Sequence, residues 1–152
     1  WQESQRGQVV AQSLRVDVDP RIGALAFVPA TELSTSKARK MLPETIAHAD
    51  AVKNSINTAV LIQALQHRPD LLLGATEDYV HQSYRKDAMP QSFALMTKLR
   101  KAGVAAFISG AGPTVLALHT GDQNEAEELS RAGGAKFEGK SLEIAARGAT
   151  LL

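Results

Sequence analysis

The 152 residues carry 17 Lys and Arg against 16 Asp and Glu, a formal charge of +1, with 44% hydrophobic and 22% charged residues, which is the composition of an ordinary soluble domain. Near-neutral charge without a basic block gives no footprint for nucleic acid or an anionic membrane surface, and no apolar run approaches the roughly 20 residues of a spanning helix. Cysteine is absent, which removes disulfides, thiolate nucleophiles and Cys-ligated metals from consideration. A chain of this length can bury about 70% of the surface it exposes when unfolded, enough for one domain without metal or disulfide support, and a cytoplasmic setting is expected.

The chain opens Trp1-Gln2-Glu3-Ser4. Translation starts at Met and nothing here reads as a signal peptide, so a domain cut from a longer polypeptide is the expectation. From Ser13 to Asp19 apolar Leu14, Val16 and Val18 alternate with Arg15, Asp17 and Asp19, a period of two that predicts a half-buried strand. Pro20-Arg21-Ile22-Gly23 carries turn chemistry. The continuous apolar run Ala24–Val28, stopped by Pro29, predicts a strand covered on both faces.

Ser34 or Thr35 can cap a short helix reaching Met41. Pro43 is expected to open a longer one to about His67, with Ile46, Ala49, Val52, Ile56 and Val60 as its buried stripe. Residues 70–102 read as helix in pieces: Asp70–Gly74, about Glu77–Lys86, and Pro90–Ala102 with Phe93, Met96 and Leu99 facing inward. The period then changes to two short apolar strands, Val104–Ile108 and Val115–His119, separated by Ser109-Gly110-Ala111-Gly112-Pro113-Thr114. Asp122 with Glu125 has the form of a capping box for a helix to about Arg131. Leu142, Ile144 and Ala146 predict a last strand.

Taken from Ala24, the order is strand, helices, strand, strand, helix, strand. That is an α+β arrangement, a ferredoxin-like split β-α-β sandwich with helices on one face of a mainly antiparallel sheet. The 75 residues between Val28 and Val104 make its first crossover a large helical insertion.

Three features could carry chemistry. In Ser109-Gly110-Ala111-Gly112 two glycines lie two apart between strands, so backbone N–H groups can approach an anion without a Cβ in the way. A plain hairpin loop is the simpler alternative. The loop is neither a Walker loop nor a dinucleotide fingerprint, because a strand and not a helix follows it. Arg39 and Arg85 lie on predicted helices rich in small polar residues. A guanidinium grips a carboxylate through two parallel hydrogen bonds, although a solvated helix arginine is the commoner role and spacing alone does not single out these two. His48, His67, His81 and His119 form no i,i+4 pair, which argues against a zinc site.

The order of motifs resembles the C-terminal half of a GHMP-family small-molecule kinase, and within that family the branch that phosphorylates homoserine. The resemblance rests on Ser34-Thr35-Ser36-Lys37-Ala38-Arg39-Lys40-Met41-Leu42-Pro43, on Asp78-Tyr79-Val80-His81-Gln82-Ser83-Tyr84-Arg85 with Met89-Pro90, and on Ile108-Ser109-Gly110-Ala111-Gly112-Pro113-Thr114-Val115. It covers about Val10 to Leu152. It implies that residues 1–152 are one GHMP C-terminal, substrate-side domain, and that the full protein transfers the γ-phosphoryl group of ATP, with Mg²⁺, to the side-chain hydroxyl of L-homoserine in threonine biosynthesis. Arg39 and Arg85 would hold the homoserine carboxylate, with Thr35 and His81 nearby, and the Ser109–Gly112 loop would face the phosphate site.

No residue of this chain is implied to act on the reacting atoms, and no metal ligand is implied. The family's ATP loop, Pro-x-x-x-Gly-Leu-Gly/Ser-Ser-Ser, occurs nowhere in the sequence. The resemblance therefore implies that the N-terminal half is absent from the chain, that it is the chain's partner, that the isolated chain is inactive, and that the complete protein is a homodimer. Ser83 stands where similar sequences commonly have Pro. Two alternatives stay open: a free-standing amino-acid-binding regulatory module, and a kinase of the same family for another small alcohol such as mevalonate.

Overall fold

The computed structural model describes residues 2–5, 8–11 and 14–145. Two short strands, β1 (Gln2–Gln5) and β2 (Gln8–Ala11), pair antiparallel in a ribbon of their own. The main sheet has four strands, β3 (Gly23–Pro29), β4 (Ala105–Ile108), β5 (Val115–His119) and β6 (Phe137–Leu142), in the order β4-β5-β3-β6 with every neighbouring pair antiparallel. Because β3 and β4 each run antiparallel to β5, they are parallel to one another with β5 inserted between them. The same holds for β5 and β6 across β3. These are two split β-α-β units, as expected.

Between β3 and β4 lie α1 (Thr35–Lys40), α2 (His48–Gln66), α3 (Leu72–Ala75), α4 (Gln82–Arg85) and α5 (Pro90–Lys101), and α6 (Gln123–Ser130) precedes β6. Ser34 caps α1 by accepting from Lys37 N at 3.2 Å, and Asp122 caps α6 by accepting from Glu125 N at 3.0 Å. Among the described residues no helix is long and apolar enough to cross a membrane.

The alternation along each strand sends side chains to two cores. Leu25 and Phe27 from β3, Ala106 and Ile108 from β4, and Val115 and Ala117 from β5 pack with Leu95, Met96 and Leu99 of α5. On the opposite face Ala24, Ala105 and Leu118 pack with Ala64 of α2 and with Leu72 and Ala75 of α3. Helices thus cover both faces, where one was expected, because the long insertion folds back as a second layer. This also explains why β3 is apolar throughout. Gly139 sits where β6 passes the end of α6, and a Cβ there would run into the backbone carbonyl of Ser130. Gly139→Ala is expected to cost about 1–3 kcal/mol in urea unfolding, because a backbone and not a flexible side chain must move. An unchanged midpoint would contradict that packing.

Four element boundaries differ from expectation. Residues 14–19 are extended without ladder pairing, and Leu14 is 79% exposed. Period two marks a pleated surface but supplies no partner strand, and the main sheet recruits β6 beside β3 in place of this segment. Ser13 lies outside the described residues. The long helix begins at His48, so Pro43 lies in the preceding connection and does not open the helix. Most of its expected stripe faces outward, with Ala49, Val52 and Ile56 exposed, whereas its last member, Val60, packs inward with Leu61, Leu65 and the buried Ala64. A helix apolar on both sides gives no single direction to read. Helix α4 starts at Gln82, five residues later than expected, since the Asp78 side chain occupies the preceding N–H groups. The last strand, β6, ends at Leu142, with Ile144 beyond it and Ala146 outside the described residues.

The turn into β3 is held by one carboxylate. Asp19 accepts from Arg21 N at 2.9 Å, from its Nε at 2.9 Å and from its Nη2 at 2.7 Å. Asp19 N donates to Leu65 O at 2.7 Å, tying the turn to α2. The hydrogen bonds from the Arg21 side chain and backbone lower the Asp19 pKa from 3.8 to about 2. A folded-state pKa below the unfolded one contributes stability that is present above the unfolded value and lost as pH falls through the folded value. Between about pH 4 and pH 2 the wild type is therefore expected to lose more stability than Asp19→Asn. Parallel urea-midpoint curves over that window would contradict the assignment.

Candidate functional site

A cavity of about 540 Å³ opens between α1, the inner face of α2, the segment from Thr76 to Arg85, and the loop after β4. Thr35 and Arg39 reach it from α1, one helical turn apart on the same face. Ala38, beside them on α1, is fully buried and fixes how the helix seats. Both Thr35 and Arg39 are exposed, and Arg39 has no carboxylate partner among the described residues.

The far wall is a chain of polar contacts. Asp78 accepts from Val80 N at 3.1 Å, His81 N at 3.1 Å and Gln82 N at 2.7 Å, and its Oδ1 lies 3.1 Å from His81 Nδ1. It thereby starts α4 and directs His81 and Arg85. Asn54 Oδ1 accepts from Tyr79 N at 3.1 Å and Asn57 Nδ2 donates to Glu77 O at 3.0 Å, so α2 holds the same segment from the other side. Tyr79 donates its hydroxyl to Glu77 at 2.7 Å, and that hydrogen bond, followed by the carboxylate charge, raises the phenol pKa above its ordinary value. Arg100 bolts this wall to the sheet by donating to Thr76 Oγ1 at 3.0 Å, Ala106 O at 3.1 Å and Leu73 O at 2.5 Å.

Arg85 is only 8% exposed, yet among the described residues its one hydrogen bond is Nη1 to Gly110 O at 3.1 Å, and its Nε is buried without a partner there. Buried guanidinium donors are ordinarily paired. Arg85 also lines the cavity, where a guanidinium can receive an anion.

The glycine loop closes on itself, since Ser109 N donates to Thr114 O and Gly112 N to Ser109 O, each at 2.9 Å. Gly110 and Gly112 both have positive φ, +58° and +85°, which a side chain tolerates poorly. Gly110 and Ala111 line the cavity, and their N–H groups have no acceptor among the described residues. Ser109 and Gly112 do not line it and instead shape the loop. The structure therefore brings Thr35, Arg39, His81, Arg85, Gly110 and Ala111 around one cavity.

Asn54, Asn57, Gln82 and Arg100 were not singled out in the sequence. Helical phase could have found the first two, because Asn54, Asn57, Leu61 and Ala64 follow one face and that face is the inner one. Gln82 and Arg100 are long-range partners with no local signal. Among the described residues no group of three His, Cys, Asp or Glu side chains could hold a metal ion.

Comparison with known proteins places this geometry. The family described as GHMP kinases C terminal matches residues 61–139. Homoserine kinase from Streptomyces avermitilis is 44% identical over 142 residues, 93% of this chain and 46% of that protein. Homoserine kinase from Streptomyces coelicolor is 41% identical over 152 residues, all of this chain and 47% of that protein. In fold, the chain is similar to the crystal structure of homoserine kinase from Cytophaga hutchinsonii, with a TM-score of 0.70 at 24% identity over 89% of this chain and 44% of that one. The chain spans about half the length of the curated relatives it matches.

Proposed function

The chain belongs to the GHMP kinase C-terminal family, and from that premise we propose that it is the acceptor-side domain of a homoserine kinase. The observation that carries the reading is Arg85, a buried guanidinium on the wall of a cavity that Arg39 also lines. Two guanidinium groups lining one cavity favour an acceptor with a carboxylate over a simple alcohol. Thr35 and His81 complete the polar lining around it. The reaction is transfer of the ATP γ-phosphoryl group to the acceptor's side-chain hydroxyl, in which binding, orientation and charge stabilisation do most of the work.

For the nucleotide, the chain offers the free N–H groups of Gly110 and Ala111 at one end of the cavity. Among the described residues there is no triphosphate cradle and no cluster of ligands for Mg²⁺. These residues do not by themselves fit ATP or its ion. Both are assigned to the N-terminal half that the relatives possess and this chain does not span, and the two halves together form the working site.

An acceptor series on the full-length protein tests the reading. Homoserine is expected to support ADP formation, whereas 2-amino-1,4-butanediol, which lacks the carboxylate, is expected to lose about 2–5 kcal/mol of kcat/KM, a factor of roughly 30 to several thousand. Equal use of the diol, or preference for mevalonate, would overturn it.

A further inference from the structure

Four contacts tie the segment from Gln82 to Ser92 onto the loop after β4. Gln82 Oε1 accepts from Ile108 N at 2.6 Å, Arg85 Nη1 donates to Gly110 O at 3.1 Å, and Ser92 Oγ donates to Pro113 O at 2.5 Å. The side chain of Met89 fills the space beside Gly112, where a Cβ would come within 2.6 Å of its sulfur. The entry, middle and exit of the glycine loop are thus each held by side chains of one short segment, and the loop adds only two backbone bonds of its own.

Gln82 stands out among these anchors. It is 9% exposed, and its hydrogen bond joins two buried groups at the point where β4 ends and the loop begins. It sits three residues before Arg85, one turn along α4, so the loop and the guanidinium are referenced to the same turn of helix. We propose that Gln82 is a positioning residue that fixes the distance between Arg85 and the free N–H groups of Gly110 and Ala111. On the function proposed above, to which this adds, those are the carboxylate end and the phosphate-facing end of the site. Gln82 acts through the loop backbone and need not touch a ligand. Without its acceptor, Ile108 N–H is left buried and unpaired, and the loop is free to move relative to Arg85.

Kinetics of full-length Gln82→Met, which keeps the volume and removes the acceptor, provide the test. A displacement of about 1 Å between reacting groups costs on the order of a hundredfold, so kcat is expected to fall about tenfold to a hundredfold and the KM for ATP to rise, with the KM for homoserine little changed. Gln82→Glu, which retains an acceptor oxygen for Ile108 N–H, is expected to keep kcat at saturating homoserine within about threefold of wild type. A lower melting temperature with unchanged kcat in Gln82→Met would reduce the residue to a structural one. A raised homoserine KM with unchanged kcat would make it an acceptor ligand. Either result overturns the proposal. Amide hydrogen exchange gives a readout independent of substrate: Gln82→Met is expected to accelerate exchange at Ile108 and across the loop by about tenfold or more, while exchange in β5 stays as it was. Unchanged loop exchange would sink the tether whatever the protein phosphorylates, and accelerated exchange without homoserine turnover in the wild type would sink the functional reading alone.

Discussion

Replacing Arg85 by Ala in the full-length protein is expected to lower kcat/KM for homoserine by a factor of roughly 30 to several thousand, about 2–5 kcal/mol. The size follows from burial. Arg85 is 92% covered, with Gly110 O as its one hydrogen-bond partner among the described residues, so a carboxylate bound against it loses its water and, in the variant, meets no cation in exchange. Much of the cost is the penalty of leaving that carboxylate unpaired. Because Arg85 also holds Gly110, part of the loss should appear in kcat. Arg39→Ala is expected to give a smaller loss, confined to homoserine, since Arg39 is exposed on α1 and has no loop contact. Lysine at position 85 should rescue only in part, because a point charge reproduces neither the bidentate contact nor the bond to Gly110. Wild-type homoserine kinetics in both Ala variants would return the two residues to the role of ordinary helix arginines.

The second large effect is all-or-none. The 152-residue chain by itself is expected to show no homoserine-dependent ATP consumption, and the N-terminal half, added covalently or in trans, is expected to restore it. The reason is chemical. On the proposed function the cavity offers two guanidinium groups to the acceptor and the backbone of Gly110 and Ala111 to a phosphate edge, but phosphoryl transfer needs the triphosphate and its metal held in line with the acceptor hydroxyl. Turnover by a rigorously purified 152-residue chain would show that the triphosphate site lies within these residues after all.

How much of this was legible in the residues depended on the range of the interactions involved. The strands Ala24–Val28 and Val115–His119, the caps Ser34 and Asp122, and the stripe of α5 are local signals, and they stand in the structure within a residue or two of their expected places. The failures were questions about partners. Residues 14–19 alternate as a strand does, but alternation says nothing about which edge is free, and β6 holds the place beside β3. In α2 the more regular apolar stripe turned out to be the outward one, because small Ala64 and polar Asn54 and Asn57 occupy the inner face. At the site, the motifs led to Arg39, Arg85 and the glycine loop, whereas composition and spacing alone did not separate these arginines from the others. Arg100 and Gln82 were not legible, since their partners at Leu73, Ala106 and Ile108 are set by the fold.

The central claim is that Arg85 and Arg39 receive the carboxylate of an amino-acid acceptor. A crystal structure of the full-length protein with homoserine bound tests it most directly. The account predicts a carboxylate oxygen about 3 Å from a guanidinium nitrogen of Arg85, the second oxygen toward Arg39, the Arg85 to Gly110 bond intact, and the hydroxyl directed at the loop of Gly110 and Ala111. Homoserine bound with its carboxylate away from both guanidinium groups would contradict it.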